Sequence, residues 1–241
     1  MPTAVLVHGG WHGGWCWKKV SNALSARGWT VFTPTLTGVG DRAHLASPLV
    51  GLDTHVSDVA NLIVSEEIDD VVLCGHSAAG LVISGVADLM PERIGHLVYL
   101  DATVPQHDQS LFDAIGDASG LPAEFRHAAD QFGAGWLVPP SLFTPSAFGI
   151  SDPEESAWLT RRLTPHPIRA FSDKVSLSGG IDRIERQTFA RCTGFEVPAV
   201  DTFYEAFVAS PDKSAVRWET GHDVMITEPE LVVNLLAGAE S

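Results

Sequence analysis

Short apolar runs alternate with segments of helix length at both ends of this chain. The runs predict strands at 4–8, 30–33, 71–74, 97–100, 188–192 and 215–218, and the segments at 15–26, 53–66 and 77–88 predict helices. Uninterrupted apolar strands joined by helices are typical of a mostly parallel sheet that is covered by helices on both faces. The sequence therefore predicts an α/β fold, in which ligands bind at the carboxyl ends of the strands.

The segment VVLCGHSAAG at 71–80 places a serine directly after one of these strands. It approximates G-x-S-x-G, the nucleophile elbow, in which a strained strand-to-helix turn raises the serine hydroxyl above the sheet. Gly75 fits the motif, whereas Ala79 takes the place of the second glycine and is followed by Gly80. Ser77 is therefore the candidate nucleophile. The alternative is that this serine only caps the helix that follows the strand.

A second strand end carries groups that a serine nucleophile needs. The run AVLVHGG at 4–10 finishes in a glycine-rich turn. In serine hydrolases such a turn supplies one backbone N–H of the oxyanion hole, and the residue after the nucleophile supplies the other. We therefore expect the N–H groups of Gly10 and Ala78 to form an oxyanion hole, where each can stabilise the developing charge by about 3 kcal/mol.

The chain contains ten histidines, so the choice of a general base needs an argument. His222 lies in a loop after the last strand and follows the serine in chain order, as the base does in this type of fold. His76 directly precedes the serine and has to point elsewhere. His8 and His12 flank the glycine turn and are expected to hold loops by hydrogen bonds. His222 is therefore the candidate base.

The carboxylate that would orient this base has more than one candidate. Asp101 ends a strand beside the elbow strand, so its side chain could reach the site from the carboxyl edge of the sheet. Glu196 follows the strand at 188–192, the position from which hydrolases of this kind more often supply the acid. Asp201 is a third candidate, although it is expected to cap a helix at 202–209. We favour Asp101; its alternative role is to bind backbone N–H groups at a strand end.

Composition limits the classes of partner. A length of 241 residues with 45% apolar content fits one domain with an insertion, and a net charge of −15 argues against a nucleic-acid partner. Without a signal peptide or a long apolar run, we expect a soluble cytoplasmic protein that does not enter the membrane. Cys16, Cys74 and Cys192 form no spaced pairs and predict reduced thiols. We expect no metal and no organic cofactor, and a homodimer is left open.

The alternation stops between 102 and 187, where prolines and aromatic residues accumulate. We interpret 102–187 as a mostly helical cap inserted into a core formed by 1–101 and 188–241. An apolar cap over the serine excludes water and favours compact hydrophobic substrates. The alternative is that the aromatic residues form only the cap's own core.

Five segments together resemble a known family: VLVHGGWHGGWCWKKV at 5–20, PTLTGVGDRAHLASPLVGLDTHVSDVANLI at 34–63, the elbow itself, LVYLDATVP at 97–105 and ETGHDVMITEPE at 219–230. They are similar to the α/β-hydrolases grouped with plant methyl esterases and hydroxynitrile lyases, and most similar to the bacterial esterase branch. The resemblance implies the α/β-hydrolase fold, with Ser77 as nucleophile, His222 as base, and Gly10 and Ala78 as oxyanion donors. That branch includes enzymes that cleave methyl esters and methyl carbamates of aromatic compounds, including carbendazim.

We therefore expect a serine esterase that acts on a small hydrophobic ester, a methyl ester or methyl carbamate of an aromatic compound. The first alternative is a carbon–carbon lyase like the hydroxynitrile lyases, which need a lysine directly after the histidine and usually have a threonine in the oxyanion turn. This chain has Asp223 and Gly9 at those places, and an anion beside the base would repel cyanide. The second alternative is a small-molecule binding protein without turnover.

Overall fold

The computed structural model describes residues 1–238, and its elements follow the predicted alternation. The strands are β1 (Thr3–Val7), β2 (Thr30–Phe32), β3 (Val71–His76), β4 (Ile94–Leu100), β5 (Leu137–Val138), β6 (His166–Pro167), β7 (Gln187–Cys192) and β8 (Ser214–Trp218). The α-helices are α1 (Lys18–Ala26), α2 (Leu52–Ser65), α3 (Ala79–Leu89), α4 (Leu111–Ile115), α5 (Leu121–Phe132), α6 (Pro153–Thr160), α7 (Arg169–Ser172), α8 (Pro198–Ala209), α9 (Val224–Thr227) and α10 (Pro229–Leu236). Short 3-10 helices cover Gly14–Trp17, Gly40–Leu45, Pro91–Arg93, Asp117–Ser119, Pro140–Leu142, Pro145–Phe148 and Ile181–Arg183.

Six strands form one parallel sheet in the order β2-β1-β3-β4-β7-β8, which confirms the predicted α/β architecture. Its central strands β1, β3, β4 and β7 are buried almost throughout, as expected of strands covered on both faces. Because all six strands are parallel, their carboxyl ends lie along one edge. The turns after β1, β3, β4 and β8 therefore meet there, although they are far apart in the chain.

Two local predictions differ from the structure. The helix predicted from residue 15 begins as a 3-10 turn and becomes α-helical only at Lys18. Helix α8 begins at Pro198, so Asp201 lies inside its first turn instead of capping it. Proline is well suited to the first helical position because its ring fixes φ and it has no N–H to leave unpaired. The side chain of Asp201 is thereby free to bind Arg191.

The segment 102–187 contains α4 to α7 and also a two-stranded antiparallel ribbon of β5 and β6, which the sequence did not predict. Strands of two residues are too short to show an alternating pattern. Several of its aromatic side chains are buried against the core cluster of the molecule: Phe112, Phe125, Phe148 and Phe171. In residues 1–238 no helix is long and apolar enough to cross a membrane.

The elbow depends on two close backbone approaches. A Cβ atom on Gly75 would lie 2.8 Å from the Ile83 side chain, and one on Gly80 would lie 1.9 Å from the Thr103 carbonyl oxygen. Position 79, where the motif has its second glycine, holds a buried alanine. The tightest approach at the start of α3 is therefore made at position 80, which explains why alanine is accepted at 79.

Gly80→Ala should lower the free energy of unfolding by about 3 kcal/mol, because its methyl group would displace the backbone at Thr103. Ala79→Gly is the matched control and should cost only about 1 kcal/mol, through lost helix propensity and burial. Urea denaturation followed by fluorescence measures both. Equal losses for the two variants would contradict this account of the turn.

Candidate active site

A small cavity of about 60 Å³ opens above the carboxyl ends of β1, β3 and β4. It is bordered by Gly10, Trp11, Ser77, Ala78, Asp101, Thr103, Leu111, Ile115, Leu121, Phe125, Phe143, Phe148, Phe171, Phe195, Val197, Val200 and His222. The set includes all five residues to which the sequence analysis assigned a role in the preferred site, and they come from four separate parts of the chain: Gly10, Ser77, Ala78, Asp101 and His222. The structure thus brings together the groups that the sequence predicted to converge.

Ser77 adopts a left-handed backbone conformation, with φ at 57°. A non-glycine residue in that region is strained and persists only when its surroundings hold it there. Its N–H donates to the Leu100 carbonyl at 3.2 Å, and its carbonyl accepts from the N–H groups of Gly80 and Thr103, both at 3.1 Å. These bonds fix the turn on both sides. Ser77 has the backbone geometry of a nucleophile elbow rather than that of an ordinary helix cap.

Gly10 and Ala78 border the cavity, and the N–H group of neither residue donates to another group in the described chain. His8 orients the first of them. Its Nε2 accepts from the Leu36 N–H at 3.0 Å, so its Nδ1 carries the proton and donates to the Gly9 carbonyl at 2.8 Å. That carbonyl and the Gly10 N–H belong to the same planar peptide and point in opposite directions. Burial lowers the pKa of His8 to about 3, which keeps it neutral.

His222 and Asp101 form a direct contact, in which Nδ1–H of the imidazole donates to Oδ2 of the carboxylate at 2.7 Å. In the neutral imidazole this donation places the proton on Nδ1 and leaves Nε2 able to accept one. The Phe195 ring stacks on the imidazole at 4.0 Å between centroids. His76, as expected, points away from the cavity, and its Nε2–H donates to the His222 carbonyl at 3.0 Å. Burial lowers the pKa of His76 well below its ordinary value, so it fixes the loop as a neutral donor.

Ser77 and His222 border the same cavity without a hydrogen bond between their side chains in this structure. Such bonds are often long in the absence of substrate and tighten when it binds. Glu196 is exposed and makes no hydrogen bond or ion pair with His222 in the described chain. The geometry therefore places Asp101, and not Glu196 or Asp201, against the candidate base.

Sequence reasoning missed Arg191, whose guanidinium donates from Nη1 to Asp101 Oδ1 at 3.0 Å and from Nε to Asp201 Oδ1 at 2.8 Å. The Cys192 N–H also donates to Asp101 Oδ1 at 3.0 Å. Asp101 itself has φ at 46°, the same strained region as Ser77. An arginine directly after Phe189 and Ala190 in a predicted buried strand was the available signal, because a buried cation requires paired carboxylates.

A second buried pair lies beneath the oxyanion turn. His12 donates from Nδ1 to the Gly10 carbonyl at 2.7 Å and from Nε2 to Asp223 Oδ2 at 3.0 Å. Both ring nitrogens face acceptors, so the imidazole is protonated. Burial alone would lower the pKa of His12, but Asp223 more than offsets this and raises it above 6.5. Burial would likewise raise the pKa of Asp223, but His12 holds it below 3.8. The pair joins the oxyanion turn to the loop of the candidate base.

Trp11 joins the oxyanion turn to segment 102–187. Its N–H donates to His166 Nδ1 at 3.1 Å, its indole N–H donates to the Val138 carbonyl at 3.0 Å, and its carbonyl accepts from the Thr164 N–H at 3.0 Å. The indole packs against three aromatic rings of the cavity at 5.4 to 5.7 Å between centroids: Phe125, Phe143 and Phe171. One wall of the cavity is therefore aromatic and fixed.

Other titratable groups give no second reactive centre in the described chain. Cys16, Cys74 and Cys192 are buried and unpaired, and burial raises the pKa of each thiol. Within residues 1–238, no cluster of three or more histidine, cysteine or acidic side chains is arranged to hold a metal ion.

Comparison with known proteins gives one consistent picture. A model of the Alpha/beta hydrolase family matches residues 4–235. The carbendazim hydrolyzing esterase of Nocardioides sp. (strain SG-4G) is 38% identical over 247 residues, covering 98% of this chain and 99% of that protein. Methylesterase 3 of Arabidopsis thaliana is 34% identical over 96% of this chain and 93% of its own length. Among solved structures, an extracellular alpha/beta-hydrolase from a Paenibacillus species matches with a TM-score of 0.86 at 22% identity, covering 99% of both chains.

Asp223→Asn should destabilise the protein in a pH-dependent way. The raised pKa of His12 gives stability that is present below pH 6.5 and is lost as the pH rises through that raised value. The lowered pKa of Asp223 gives stability that is present above pH 3.8 and is lost as the pH falls. The loss of about 3 kcal/mol expected from breaking a buried pair should therefore be largest between these values and smaller at pH 9.

Urea denaturation of the wild type and Asp223→Asn at pH 5.5 and pH 9 measures this difference. Asp212→Asn, at an exposed position, is the control and should show no such gap. A loss of equal size at both pH values would mean that His12 and Asp223 are not ionised together.

Proposed function

The chain belongs to the Alpha/beta hydrolase family and is a carboxylic ester hydrolase, and on that premise we propose that it cleaves methyl esters or methyl carbamates of small, uncharged aromatic compounds through an acyl-enzyme. The observation that carries this proposal is the contact of His222 with Asp101 at 2.7 Å, beside a strained Ser77 and two free N–H groups. Nucleophile, base, acid and oxyanion donors then border one cavity.

In the proposed reaction Ser77 Oγ attacks the carbonyl carbon of the substrate while Nε2 of His222 accepts the hydroxyl proton. Asp101 stabilises the resulting imidazolium. The oxyanion accepts hydrogen bonds from the N–H groups of Gly10 and Ala78. Collapse of this intermediate expels the alcohol, which takes the proton from His222. Water activated by His222 then attacks the acyl-enzyme and releases the acid and Ser77.

The cavity wall supports an uncharged substrate with an aromatic part. Its titratable members are His222 and Asp101, which bind each other, and most other members are apolar or aromatic. A charged group would lose its hydration there without a partner. The volume of about 60 Å³ suits a methoxycarbonyl head group, so the rest of the substrate has to displace side chains at the rim, where Phe143 and Phe195 are partly exposed.

The relatives support the same substrate class. The Nocardioides relative is named for hydrolysis of carbendazim, a methyl carbamate of benzimidazole, and the Arabidopsis relative is named a methylesterase. The lyase alternative gains no support from the site. A Cβ on Gly9 would lie 2.8 Å from Ser77 Cβ, so the backbone leaves no room for a threonine there, and Asp223 is turned toward His12.

Ser77→Ala should abolish ester hydrolysis and leave the fold intact, since the variant removes only the attacking oxygen. Turnover of p-nitrophenyl acetate, methyl benzoate and carbendazim, with labelling by a fluorophosphonate probe, measures the effect. The probe should label the wild type and not the variant. A labelled variant, or one with turnover near that of the wild type, would remove Ser77 from the mechanism. Mandelonitrile cleavage in the same assay would favour the lyase.

Asp101→Asn should lower kcat by about a hundredfold or more, because an amide cannot hold the imidazole in the required tautomer or stabilise its charged form. Glu196→Gln is the matched control at the other candidate position and should keep kcat within about twofold of the wild type, since Glu196 is exposed. Steady-state kinetics of the two variants on one ester decides between them. A large loss with Glu196→Gln and none with Asp101→Asn would assign the acid to the loop after β7.

A further inference from the structure

Arg191 has no step in the reaction above, yet its guanidinium contacts the proposed acid. The residue is 2% exposed. Its five N–H groups are matched by carboxylate oxygens of Asp101 and Asp201 and by the carbonyls of Cys192 and Phe195. A guanidinium has five donors, so none is left over. A side chain bound in this way is held in one orientation.

Three charges and the imidazole form a row. Asp201 binds Arg191 at 2.8 Å, Arg191 binds Asp101 at 3.0 Å, and Asp101 binds His222 at 2.7 Å. The Asp101 carboxylate favours the protonated imidazole, and the positive charge of Arg191 weakens that effect. Asp201, whose side chain is 46% exposed, in turn weakens the effect of Arg191. Successive members of the row therefore act on His222 with opposite signs.

Two further charged or titratable groups beside His222 are His76 and Asp223. His76, at 4.4 Å between ring centroids, stays neutral because burial lowers its pKa. Asp223 is adjacent in the chain and is paired with the protonated His12, so these two charges largely cancel. The row through Arg191 is therefore the charge pattern in direct contact with the base. At its outer end, Arg191 first and then Arg217 of β8 hold the pKa of Asp201 below its ordinary value.

Arg191 also acts on the position of the imidazole. Its Nη2 donates to the Phe195 carbonyl at 2.9 Å, and the Phe195 ring stacks on His222. One side chain of β7 therefore holds both the carboxylate beside the imidazole and the ring that covers it.

We propose that Arg191 is a positioning residue for His222, which holds Asp101 and Phe195 against the imidazole and, together with Asp201, sets the pH at which the imidazole loses its proton. The inference rests on the proposed function, in which His222 is the base, and it names what tunes that base.

The test compares pH profiles of kcat/KM for p-nitrophenyl acetate at low ionic strength. Arg191→Met removes a positive charge and should raise the midpoint of the acid limb by about half a pH unit or more. Asp201→Asn removes a negative charge and should lower that midpoint by about 0.3 pH unit. Arg191→Lys keeps the charge but not the five donors, so it should lower kcat with a much smaller displacement of the limb. Glu205→Gln removes an exposed charge one turn further along α8 that makes no hydrogen bond with Arg191 in the described chain, and it should leave the midpoint of the acid limb within about 0.1 pH unit of the wild type.

NMR titration of the His222 ring protons measures the midpoint of its protonation directly and does not depend on turnover. The ring signals are assigned by their absence from the spectrum of His222→Gln. Opposite displacements in Arg191→Met and Asp201→Asn support the inference. Displacements of the same sign, or none in Asp201→Asn, overturn it. If Arg191→Met does not fold, Asp201→Asn against Glu205→Gln decides alone. If the His222 midpoints shift in the variants but the wild type hydrolyses no ester, only the proposed function is refuted. If the wild type hydrolyses esters but the His222 midpoints do not shift in the variants, only this inference is refuted.

Discussion

The Asp101 carboxylate accepts hydrogen bonds from three groups in two separate parts of the chain, and the geometry of the site depends on it. Oδ2 accepts from His222, and Oδ1 accepts from the Arg191 guanidinium and from the Cys192 N–H. A buried carboxylate requires such partners, because removing it from water costs several kcal/mol. Its backbone is strained as well, with φ at 46°. The same contacts that satisfy the charge therefore hold the loop of residue 222 and the end of β7 against β4.

Three more histidines fix the backbone near this carboxylate; burial keeps His8 and His76 neutral, whereas Asp223 overcomes the effect of burial on His12 and keeps it protonated. His8 and His76 are neutral and donate to carbonyls of the oxyanion turn and of His222, respectively. His12 donates from both nitrogens and is protonated. The donations to the Gly9, Gly10 and His222 carbonyls each fix the plane of one peptide beside the cavity. The high histidine content near the strand ends thus has a structural explanation that requires only one histidine to act as a base.

The sequence was sufficient to predict the sheet and most of the preferred site, because strand ends in a parallel sheet follow from pattern alone. Ser77, His222, Gly10 and Ala78 lie directly after predicted strands or in the loop that follows one, and they border one cavity. The choice between Asp101 and Glu196 depended on the direction of their side chains. The direction of the Asp101 side chain is set by the positive φ of that residue and by its bond to Arg191 on the neighbouring strand, and neither is visible in a sequence pattern. The ribbon of β5 and β6 was missed because two-residue strands carry no periodicity. Asp201 was read as a cap because the start of α8 at Pro198 was not recognised.

Trp11 ties the oxyanion turn to the polypeptide above it through its N–H, its carbonyl and its indole. Three hydrogen bonds on one residue couple the oxyanion turn to Val138, Thr164 and His166, so neither side can move without the other. In the proposed reaction, a change at one of these three positions would alter the direction of the oxyanion-turn amides as well as the position of the Trp11 indole in the cavity wall. Substrate range and catalytic rate would then change together, and new specificities are more accessible through cavity residues that leave those three hydrogen bonds in place.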